Sequence, residues 1–260
     1  MTTFHALAGK HALVTGGGRG IGMAIAQALL QQGARVTLLG RHADPLREAA
    51  ERLSLAGEVR GVVGNVADPQ SVTQSFADAV RHFGPIDILV NNAGQAASAP
   101  FTRTDEVLWQ QMLSVNLNGT YHCMRAALPG MLQAGWGRIV NVASTAGMTG
   151  YGYVSAYCAA KHGVIGLTRA VALEVATKGV TVNAVCPGYT ETDIVKEAIA
   201  NIVIKTERSA EEALAELAAK NPQKRLVQPE EVAHAVAWLC LPESGAMNGQ
   251  AIAVAGGEVM

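Results

Sequence analysis

The chain has 260 residues, 49% of them hydrophobic and 16% charged, so it can bury a large core and is neither disordered nor fibrous. Its 20 Lys and Arg residues are balanced by 21 Asp and Glu residues, which gives a formal net charge of −1. A chain so nearly neutral lacks the basic surface that attracts nucleic acids and anionic membranes, and we expect neither as a partner.

The cysteine pattern indicates a reducing compartment. Cys123, Cys158, Cys186 and Cys240 are widely spaced, without a C-x-x-C pair or a histidine at metal-ligand spacing. We therefore expect four buried thiols and neither a disulfide nor a metal site. The first nine residues are not a basic segment followed by an apolar one, and no apolar run approaches the ~18 residues of a membrane span. The sequence thus predicts a cytoplasmic protein.

A strand, a glycine-rich turn and a helix open the chain. Residues 11–15 are a short apolar run, glycines occupy positions 16–18, and Ile21 and Ile25 then follow at helical spacing. Residues 35–39 form the next β-branched apolar run. The order of strand, helix and strand is a βαβ unit.

The alternation continues to the end of the chain. We predict further helices at residues 44–56, 69–83, 105–131, 155–178 and 229–240, and further strands at residues 59–63, 86–90, 138–142, 180–185 and 251–254. The strands are almost entirely apolar, as are strands that are buried on both faces of a parallel sheet. We therefore predict an α/β protein in which residues 1–260 form one doubly wound, Rossmann-type domain with a mostly parallel seven-stranded sheet.

Residues 190–227 depart from this alternation, because they contain two helical segments and no strand. The second segment opens with Ser-Ala-Glu-Glu at 209–212, which has the form of a capping box. We interpret the insertion as a helical substrate lid with these apolar residues: Ile194, Val195, Ile199, Ile202, Val203 and Ile204. The same residues would also suit subunit contacts or the core, and that alternative stays open.

The glycine-rich turn has the placement of a nucleotide site. It follows the pattern G-x-x-x-G-x-G between a strand and a helix, where backbone N–H groups and the helix dipole favour a pyrophosphate. We assign cofactor binding to Gly16, Gly18, Arg19, Gly20, Ile21 and Gly22. The alternative is a glycine-rich turn that is required only for close helix packing.

The residue after the second strand bears on the choice of cofactor. A carboxylate there accepts the 2′-hydroxyl of NAD, whereas an arginine pairs with the 2′-phosphate of NADP. Arg41 occupies this position, and Arg19 could complete a clamp for the phosphate, so we favour NADP(H). NAD(H) is the alternative, with Asp44 as the ribose ligand and both arginines as solvated surface residues.

Tyr157 and Lys161 lie one helical turn apart and therefore share one face of a helix. An unperturbed phenol has a pKa of ~10, and positive charge from Lys161 and an oxidised nicotinamide lowers it toward the range in which the phenol serves as a general acid or base. A Tyr-x-x-x-Lys pair arises readily by chance in a chain with five tyrosines. The functional assignment of the pair therefore depends on its position among the other motifs.

The motifs in their order resemble those of one family. They are Thr-Gly-Gly-Gly-Arg-Gly-Ile-Gly at 15–22, Asn-Asn-Ala-Gly at 91–94, Asn116 within a helix, Ser144 after the fifth strand, Tyr157 with Lys161, and Cys-Pro-Gly at 186–188 followed by Thr192. This set spans essentially the whole chain and resembles the compact single-domain branch of the short-chain dehydrogenases/reductases. The resemblance implies an NAD(P)-dependent enzyme that interconverts a secondary alcohol and a ketone.

The resemblance also implies a catalytic tetrad. Tyr157 would exchange a proton with the substrate oxygen, to which Ser144 would donate a hydrogen bond. Lys161 would bind the ribose and lower the pKa of Tyr157, and both residues are assigned to cofactor binding as well. Asn116 would break its helix and hold a water that connects Lys161 to solvent.

Further cofactor contacts follow from the same resemblance and fall into three groups. They are Asn65 and Val66 at the adenine, Asn91, Ala93 and Gly94 behind the cofactor, and Pro187, Gly188 and Thr192 at the nicotinamide amide. Asn65 stands where the family more often has aspartate, so the adenine contact departs from the usual pattern there.

The run Cys-Pro-Gly-Tyr-Thr-Glu-Thr-Asp at 186–193 is similar to that of family members that act on 3-hydroxy acids and 3-oxoacyl thioesters. Lys196, Lys205 and Arg208 would meet a carboxylate or a coenzyme phosphate on such small-molecule substrates.

The family's usual assembly implies a homotetramer. Its contacts would use the helical regions 105–131 and 155–178, where Ala159, Gly163 and Gly166 permit close approach. The alternative to an enzyme is a non-catalytic NAD(P)-binding subunit or regulator that has kept the fold. The complete tetrad argues against that alternative.

Overall fold

The computed structural model describes residues 5–206 and 209–260, and these contain one seven-stranded sheet. Its strands are β1 (His11–Thr15), β2 (Arg35–Gly40), β3 (Val59–Val63), β4 (Ile88–Asn91), β5 (Gly137–Val142), β6 (Val180–Pro187) and β7 (Ala251–Val254). They lie in the order β3-β2-β1-β4-β5-β6-β7. The sequence predicts a mostly parallel sheet, and these strands are parallel throughout.

Helices connect the strands and cover both faces of the sheet. They are α1 (Gly20–Gln31), α2 (Ala43–Leu53), α3 (Pro69–Phe83), α4 (Glu106–Leu113), α5 (Gly119–Ala134), α6 (Ser155–Val175), α7 (Asp193–Thr206), α8 (Ala210–Ala219) and α9 (Pro229–Cys240). The predicted doubly wound α/β architecture is confirmed. The single helix predicted at 105–131 is instead divided, because a π-helical turn at Ser114–Asn118 separates α4 from α5. None of the described helices has the length and apolar character needed to cross a membrane.

Apolar side chains fill the space between the sheet and the helices on each face. On one face, α1, α2 and α9 contribute Ile25, Leu46 and Val236 to the core. On the other face, α3 and α5 contribute Phe76 and Met131. All five side chains are at most 4% exposed. Complete burial of a side chain of this size stabilises the fold by ~1.5–3 kcal/mol, so such contacts fix the helices on the sheet.

The edge strand β3 contradicts the prediction that every strand is buried on both faces. Val62 is buried, but its neighbour Val63 is 56% exposed. The reason is the position of β3 at one end of the sheet, where it pairs only with β2. An apolar composition does not distinguish such an edge strand from a central one.

The strand order reverses at β1, and this places the site. The chain passes from β1 outward through β2 and β3 and then returns to place β4 on the other side of β1. In a doubly wound sheet the connections diverge at this point and leave a crevice at the carboxyl ends of the strands, where ligands bind. Thr15 and Asn91, the last residues of β1 and β4, mark the crevice.

The insertion at 190–227 leaves and rejoins the fold at one place, because Thr190 and Val227 form a parallel bridge. The predicted capping box at the start of α8 is confirmed. The Ser209 hydroxyl accepts from the Glu212 N–H at 3.1 Å, and the Glu212 carboxylate accepts from the Ser209 N–H at 2.8 Å. Two reciprocal bonds of this kind fix the start of the helix.

The apolar residues of the insertion are only partly buried. Val195 belongs to a small cluster with Leu217, and Ile199 packs beside it, whereas Ile204 is 80% exposed. The side chains of Ile194, Ile202 and Lys205, together with residue Arg208, lie outside the described part of the chain.

Candidate active site

The pair Tyr157 and Lys161 lies in the first turns of α6 and reaches the carboxyl end of β5. Lys161 is 5% exposed, and its ammonium donates to the carbonyl of Val142, the last residue of β5, at 2.9 Å. Lys161 Nζ lies 5.7 Å from the centre of the Tyr157 ring. The four-residue spacing therefore places both side chains on one helix face, as the sequence predicts.

Burial opposes the ionisation of both side chains, because a surrounding of low dielectric constant disfavours the charged form. It lowers the pKa of Lys161 to about 8 and raises the pKa of Tyr157 to about 12. A hydrogen bond with Ser144 lowers the Tyr157 pKa and is outweighed by burial. The prediction of a lowered pKa for this phenol requires an oxidised nicotinamide as well as Lys161, and in the protein without that cofactor burial outweighs the lowering.

Ser144 follows β5 and begins the short 3-10 turn Thr145–Gly147. Its Oγ accepts a hydrogen bond from the backbone N–H of Ala146 at 3.1 Å. A hydrogen bond between Ser144 and Tyr157 lowers the pKa of the phenol. Ser144 thus caps the turn and lies within hydrogen-bond reach of the phenol.

Asn116 lies in the π-helical turn and is completely buried. Its side-chain amide donates to the carbonyls of Gln95 and Met112, both at 2.9 Å. Its Oδ1 accepts from the N–H of Gln95 at 3.2 Å. The interruption predicted for this helix is present, and it lets Asn116 tie the segment after β4 to the junction of α4 and α5.

The glycine-rich turn between β1 and α1 is tight. Gly16 and Gly20 have φ angles of 65° and 52°, which are in the left-handed region that favours glycine. A Cβ on Gly22 would collide with the carbonyl oxygen of Gly16. Only glycine at these positions lets the chain reverse and start the helix.

Thr15 and Asn92 hold this turn against the end of β4. The Thr15 hydroxyl accepts from the N–H groups of Asn92 at 3.0 Å and Ala93 at 2.9 Å. The Asn92 amide donates to the carbonyls of Thr15 at 3.0 Å and Gly16 at 3.3 Å. Both residues stand inside the motifs at 15–22 and 91–94 but are not among the predicted site residues. Their place in those motifs was the signal available.

The crevice fits a dinucleotide. No described side chain caps the N-terminus of α1, and its first turn contains no acidic residue, so its N–H groups and the positive end of its dipole are open to a phosphate. A Cβ on Gly94 would lie 2.9 Å from Asn116 Oδ1 and 3.7 Å from Lys161 Nζ. Glycine at this position therefore keeps space beside the buried ammonium. The described residues include no group of three or more His, Cys, Asp or Glu side chains placed to hold a metal ion.

The two arginines predicted at the cofactor phosphate are both exposed. Arg19 is paired with Asp193, the first residue of α7, at 3.3 Å. Arg41 follows β2 directly, and it forms no ion pair with any residue that the structure describes. Asp44 is paired with Arg47 at 3.0 Å within α2.

The remaining predicted cofactor residues border the crevice in different ways. Val66 is 7% exposed, and its carbonyl lies 3.1 Å from His122 Nδ1, while Asn91 is 4% exposed and donates its amide to Asn141. The Val66 carbonyl and the Asn91 amide are thus already engaged within the protein. Asn65 is exposed, and its Oδ1 accepts from the N–H two residues later at 3.1 Å.

The segment after β6 approaches the glycine-rich turn. Pro187 is the last residue of β6, and the N–H of Gly188 donates to the carbonyl of Val254 at 3.1 Å. A Cβ on Gly20 would lie 3.3 Å from Thr192 Cγ2. The structure therefore brings the predicted nicotinamide segment and the predicted phosphate turn to one crevice.

A family model described as short chain dehydrogenase matches residues 10–203. The chain belongs to the short-chain dehydrogenase family. It is an NAD(P)-dependent oxidoreductase that interconverts a ketone and an alcohol and acts on small molecules, as the resemblance in the sequence implies.

Several named relatives of this dehydrogenase align over nearly its whole length. A putative ketoacyl reductase of Streptomyces coelicolor is 41% identical over 249 residues, which are 95% of each chain. A 3-oxoacyl-[acyl-carrier-protein] reductase of Vibrio cholerae is 39% identical over 98% of this chain and 99% of its own. A D-beta-hydroxybutyrate dehydrogenase of Rhizobium meliloti is 36% identical over 95% of this chain and 98% of its own.

A solved structure agrees with the same assignment. The crystal structure of a variant of actinorhodin polyketide ketoreductase with NADPH is 39% identical in sequence and superposes with a TM-score of 0.93. The match covers 99% of each chain.

We expect Thr15→Val to destabilise the protein by ~1–3 kcal/mol, because the partly buried N–H groups of Asn92 and Ala93 lose their acceptor. Valine keeps the shape of the side chain, so the loss of stability measures the contribution of the hydrogen bonds. Urea unfolding measures the change in the free energy of unfolding.

Thr181→Val is the matched control for this substitution. Thr181 lies in β6 and is 6% exposed, and its hydroxyl has no hydrogen-bond partner among the described residues. We expect little or no loss of stability from its replacement. An equal loss in both variants would show that the Thr15 hydroxyl does not hold the turn.

Proposed function

We propose that this dehydrogenase is an NADP(H)-dependent ketoreductase of 3-oxoacyl thioesters. The observation that carries the proposal is the group formed by Tyr157, Ser144 and the buried Lys161 beside the crevice. The relatives named for ketoacyl and 3-oxoacyl reduction support the substrate class. A 3-hydroxy acid is the second candidate, supported by the relative named for D-beta-hydroxybutyrate.

In the reducing direction, Tyr157 donates the proton. Burial raises the pKa of this phenol to about 12, so it is fully protonated at neutral pH. Ser144 donates a hydrogen bond to the same substrate oxygen and orients the carbonyl. The nicotinamide, when bound, supplies the hydride. The phenol transfers its proton as negative charge develops on the substrate oxygen.

Lys161 and Asn116 support that transfer. The ammonium lies 5.7 Å from the Tyr157 ring centre and stabilises the phenolate that the transfer leaves behind. Burial lowers the pKa of Lys161 to about 8, so this group exchanges protons at only mildly basic pH. Gly94 borders both Lys161 and Asn116, and we assign to Asn116 the water that returns a proton toward Lys161.

NADP(H) is the proposed cofactor. Arg41 is exposed at the end of β2, where a 2′-phosphate would lie. The carboxylate of Asp44 is already paired with Arg47, which favours the arginine over the aspartate as the recognition element. The similar ketoreductase whose structure contains NADPH supports the same choice. The other assigned contacts use the glycine-rich turn, the segment after β4 and the segment after β6.

The insertion at 190–227 is the proposed substrate lid. Its small apolar cluster keeps α7 and α8 together, and Arg19 links the start of α7 to the glycine-rich turn. This placement beside the crevice supports a covering role. Together with the sheet and the other helices, it forms the single domain proposed for residues 1–260.

A homotetramer is the proposed assembly. Apolar side chains are exposed on the helices predicted to make the contacts: Val107 on α4, Tyr121 on α5 and Leu173 on α6. A Cβ on Gly166 would meet nothing within 4 Å, so this part of α6 is open to a partner. Gly163 differs from its predicted role, because its small size accommodates Leu117 of the same chain.

A cytoplasmic location is proposed from the cysteines. All four thiols are buried. Burial raises the pKa of Cys123 and Cys240 to about 12 and that of Cys186 to about 11, so these groups are unreactive thiols. Such thiols suit a reducing compartment.

We expect Tyr157→Phe to lower kcat by ~10²–10⁴, because the proton donor is removed while the ring is kept. The dissociation constant of NADPH should stay near that of the wild type. Lys161→Met should impair both turnover and cofactor binding. The reduction of acetoacetyl-coenzyme A is followed by absorbance of the reduced nicotinamide, and cofactor binding by fluorescence titration.

Tyr121→Phe is the control, since this tyrosine is 45% exposed on α5 and the change keeps the ring available to the proposed tetramer contact. It should retain wild-type turnover. A loss of less than tenfold in Tyr157→Phe would refute the assignment of the proton donor.

We expect Arg41→Ala to reduce the preference for NADP over NAD. A charge-assisted hydrogen bond contributes ~1.5–3 kcal/mol, so the ratio of the two kcat/KM values should fall by roughly ten- to a hundredfold. Turnover with NAD should change little, because its ribose hydroxyl is neutral. Steady-state kinetics with both cofactors measure the ratio.

Arg52→Ala is the matched control, because Arg52 is an exposed arginine in the last turn of α2. It should leave the ratio unchanged. Equal losses with both cofactors in Arg41→Ala, or a wild type that prefers NAD, would contradict the role of Arg41.

A further inference from the structure

The C-terminal tail turns back toward the active site after β7. Gly256 and Gly257 have φ angles of 60° and 94°, in the left-handed region. A Cβ on Gly256 would collide with the Asn221 side chain, so glycine is required there. The N–H of Glu258 then donates to the carbonyl of Ala255 at 3.1 Å and closes the turn. The turn directs the side chain of Glu258 inward, and Glu258 is partly buried.

Glu258 is hydrogen-bonded to the loop between β5 and α6. The Tyr151 hydroxyl donates to Glu258 Oε1 at 2.6 Å, and the Thr145 hydroxyl lies 2.9 Å from the same phenol oxygen. A phenol has one proton, and Tyr151 donates it in the hydrogen bond to the carboxylate, so Thr145 is the donor in the second bond. A chain of hydrogen bonds therefore runs from the residue next to Ser144 to the C-terminal tail.

These bonds are short and partly buried. Thr145 is 4% exposed. Burial and the hydrogen bond to Glu258 raise the pKa of Tyr151 above that of a free phenol, so Tyr151 stays a donor at neutral pH. A charge-assisted O–H···O⁻ bond of this length is among the stronger hydrogen bonds in proteins.

The same carboxylate borders the segment after β6, and its partner Tyr151 borders the insertion. A Cβ on Gly188 would lie 2.7 Å from Glu258 Oε2, so Glu258 contacts the segment after β6. The ammonium of Lys220, which follows α8, lies 5.1 Å from the ring centre of Tyr151 and 5.4 Å from that of Tyr189. The tail thus meets the loop after β5, the segment after β6 and the end of the insertion at one point.

We propose that Glu258 is a positioning residue for ketone reduction, which holds Tyr151 and thereby fixes the loop at 145–151 that follows Ser144. The inference rests on the proposed role of Ser144 in orienting the substrate carbonyl. Without this anchor, the described bonds of the turn next to Ser144 are local, such as that from the Gly147 N–H to the Ser144 carbonyl at 2.9 Å. Small displacements of an orienting group lower the rate of the chemical step more than they weaken binding.

The test is a double-mutant cycle on Tyr151 and Glu258, with acetoacetyl-coenzyme A and NADPH as substrates. We expect Tyr151→Phe and Glu258→Ala each to lower kcat about tenfold and to leave the KM for NADPH unchanged. The double variant should be no slower than either single variant, because both remove the same link. Glu258→Gln, whose amide oxygen still accepts from Tyr151, should restore most of the turnover.

Glu243→Ala is the matched control, because it removes an exposed carboxylate from the same end of the chain. It should have wild-type kinetics. Thermal unfolding verifies that each variant is folded. If Glu258→Ala does not fold, Tyr151→Phe still tests the proposal, because it removes only one oxygen atom.

Three results would overturn the proposal. They are wild-type kcat in Tyr151→Phe or Glu258→Ala, losses that multiply in the double variant, and a raised KM for NADPH with an unchanged kcat. A failure of the proposed function is a separate result, because the wild type would then not reduce acetoacetyl-coenzyme A, and the cycle would be measured on the oxidation of a 3-hydroxy acid, the second candidate substrate.

Discussion

The burial of one ammonium group constrains the whole active-site end of the sheet. Lys161 is 5% exposed, and its charge is held by the Val142 carbonyl at 2.9 Å. A buried charge is costly unless it has such partners, so α6 must keep a fixed register against β5. The contact is close, since a Cβ on Gly147 would lie 2.7 Å from the Lys161 carbonyl oxygen. Tyr157 and Ser144 take their places from the same packing.

The same burial sets the chemistry of Tyr157. It raises the pKa of the phenol to about 12, which keeps the proton in place but makes its release costly. Proton transfer to a substrate oxygen therefore depends on positive charge near the phenol when the phenolate forms. Lys161 is one source of that charge. Because burial lowers its pKa to about 8, the ammonium loses its charge at basic pH and no longer stabilises the phenolate. Reduction is therefore favoured where both groups are protonated.

Patterns that depend on local chemistry were predictable from the sequence, and partners distant in the chain were not. The limits of α3 and α9 and the capping box at Ser209 follow from periodicity and helix-start residues. The exposure of β3 depends on its place in the sheet order, which composition does not reveal. Lys161 donates to the Val142 carbonyl, and because every residue has a carbonyl, no sequence pattern marks this partner. Tyr151 and Glu258 are 107 residues apart, so no local pattern indicates their hydrogen bond. Whether the pKa of Tyr157 is raised or lowered depends on how deeply the phenol is buried, which the sequence does not give.

Ionisation of Tyr157 tests the electrostatic origin of catalysis most directly. The measurement is the ultraviolet difference titration of tyrosinate between the wild type and Tyr157→Phe, with and without saturating oxidised NADP. We expect this phenol to titrate near pH 12 in the free protein, where burial outweighs the hydrogen bond with Ser144. With the cationic nicotinamide bound, its pKa should fall by ~1–3 units. An ordinary pKa in the free protein, or no change on binding, would contradict the central role of burial and paired charge.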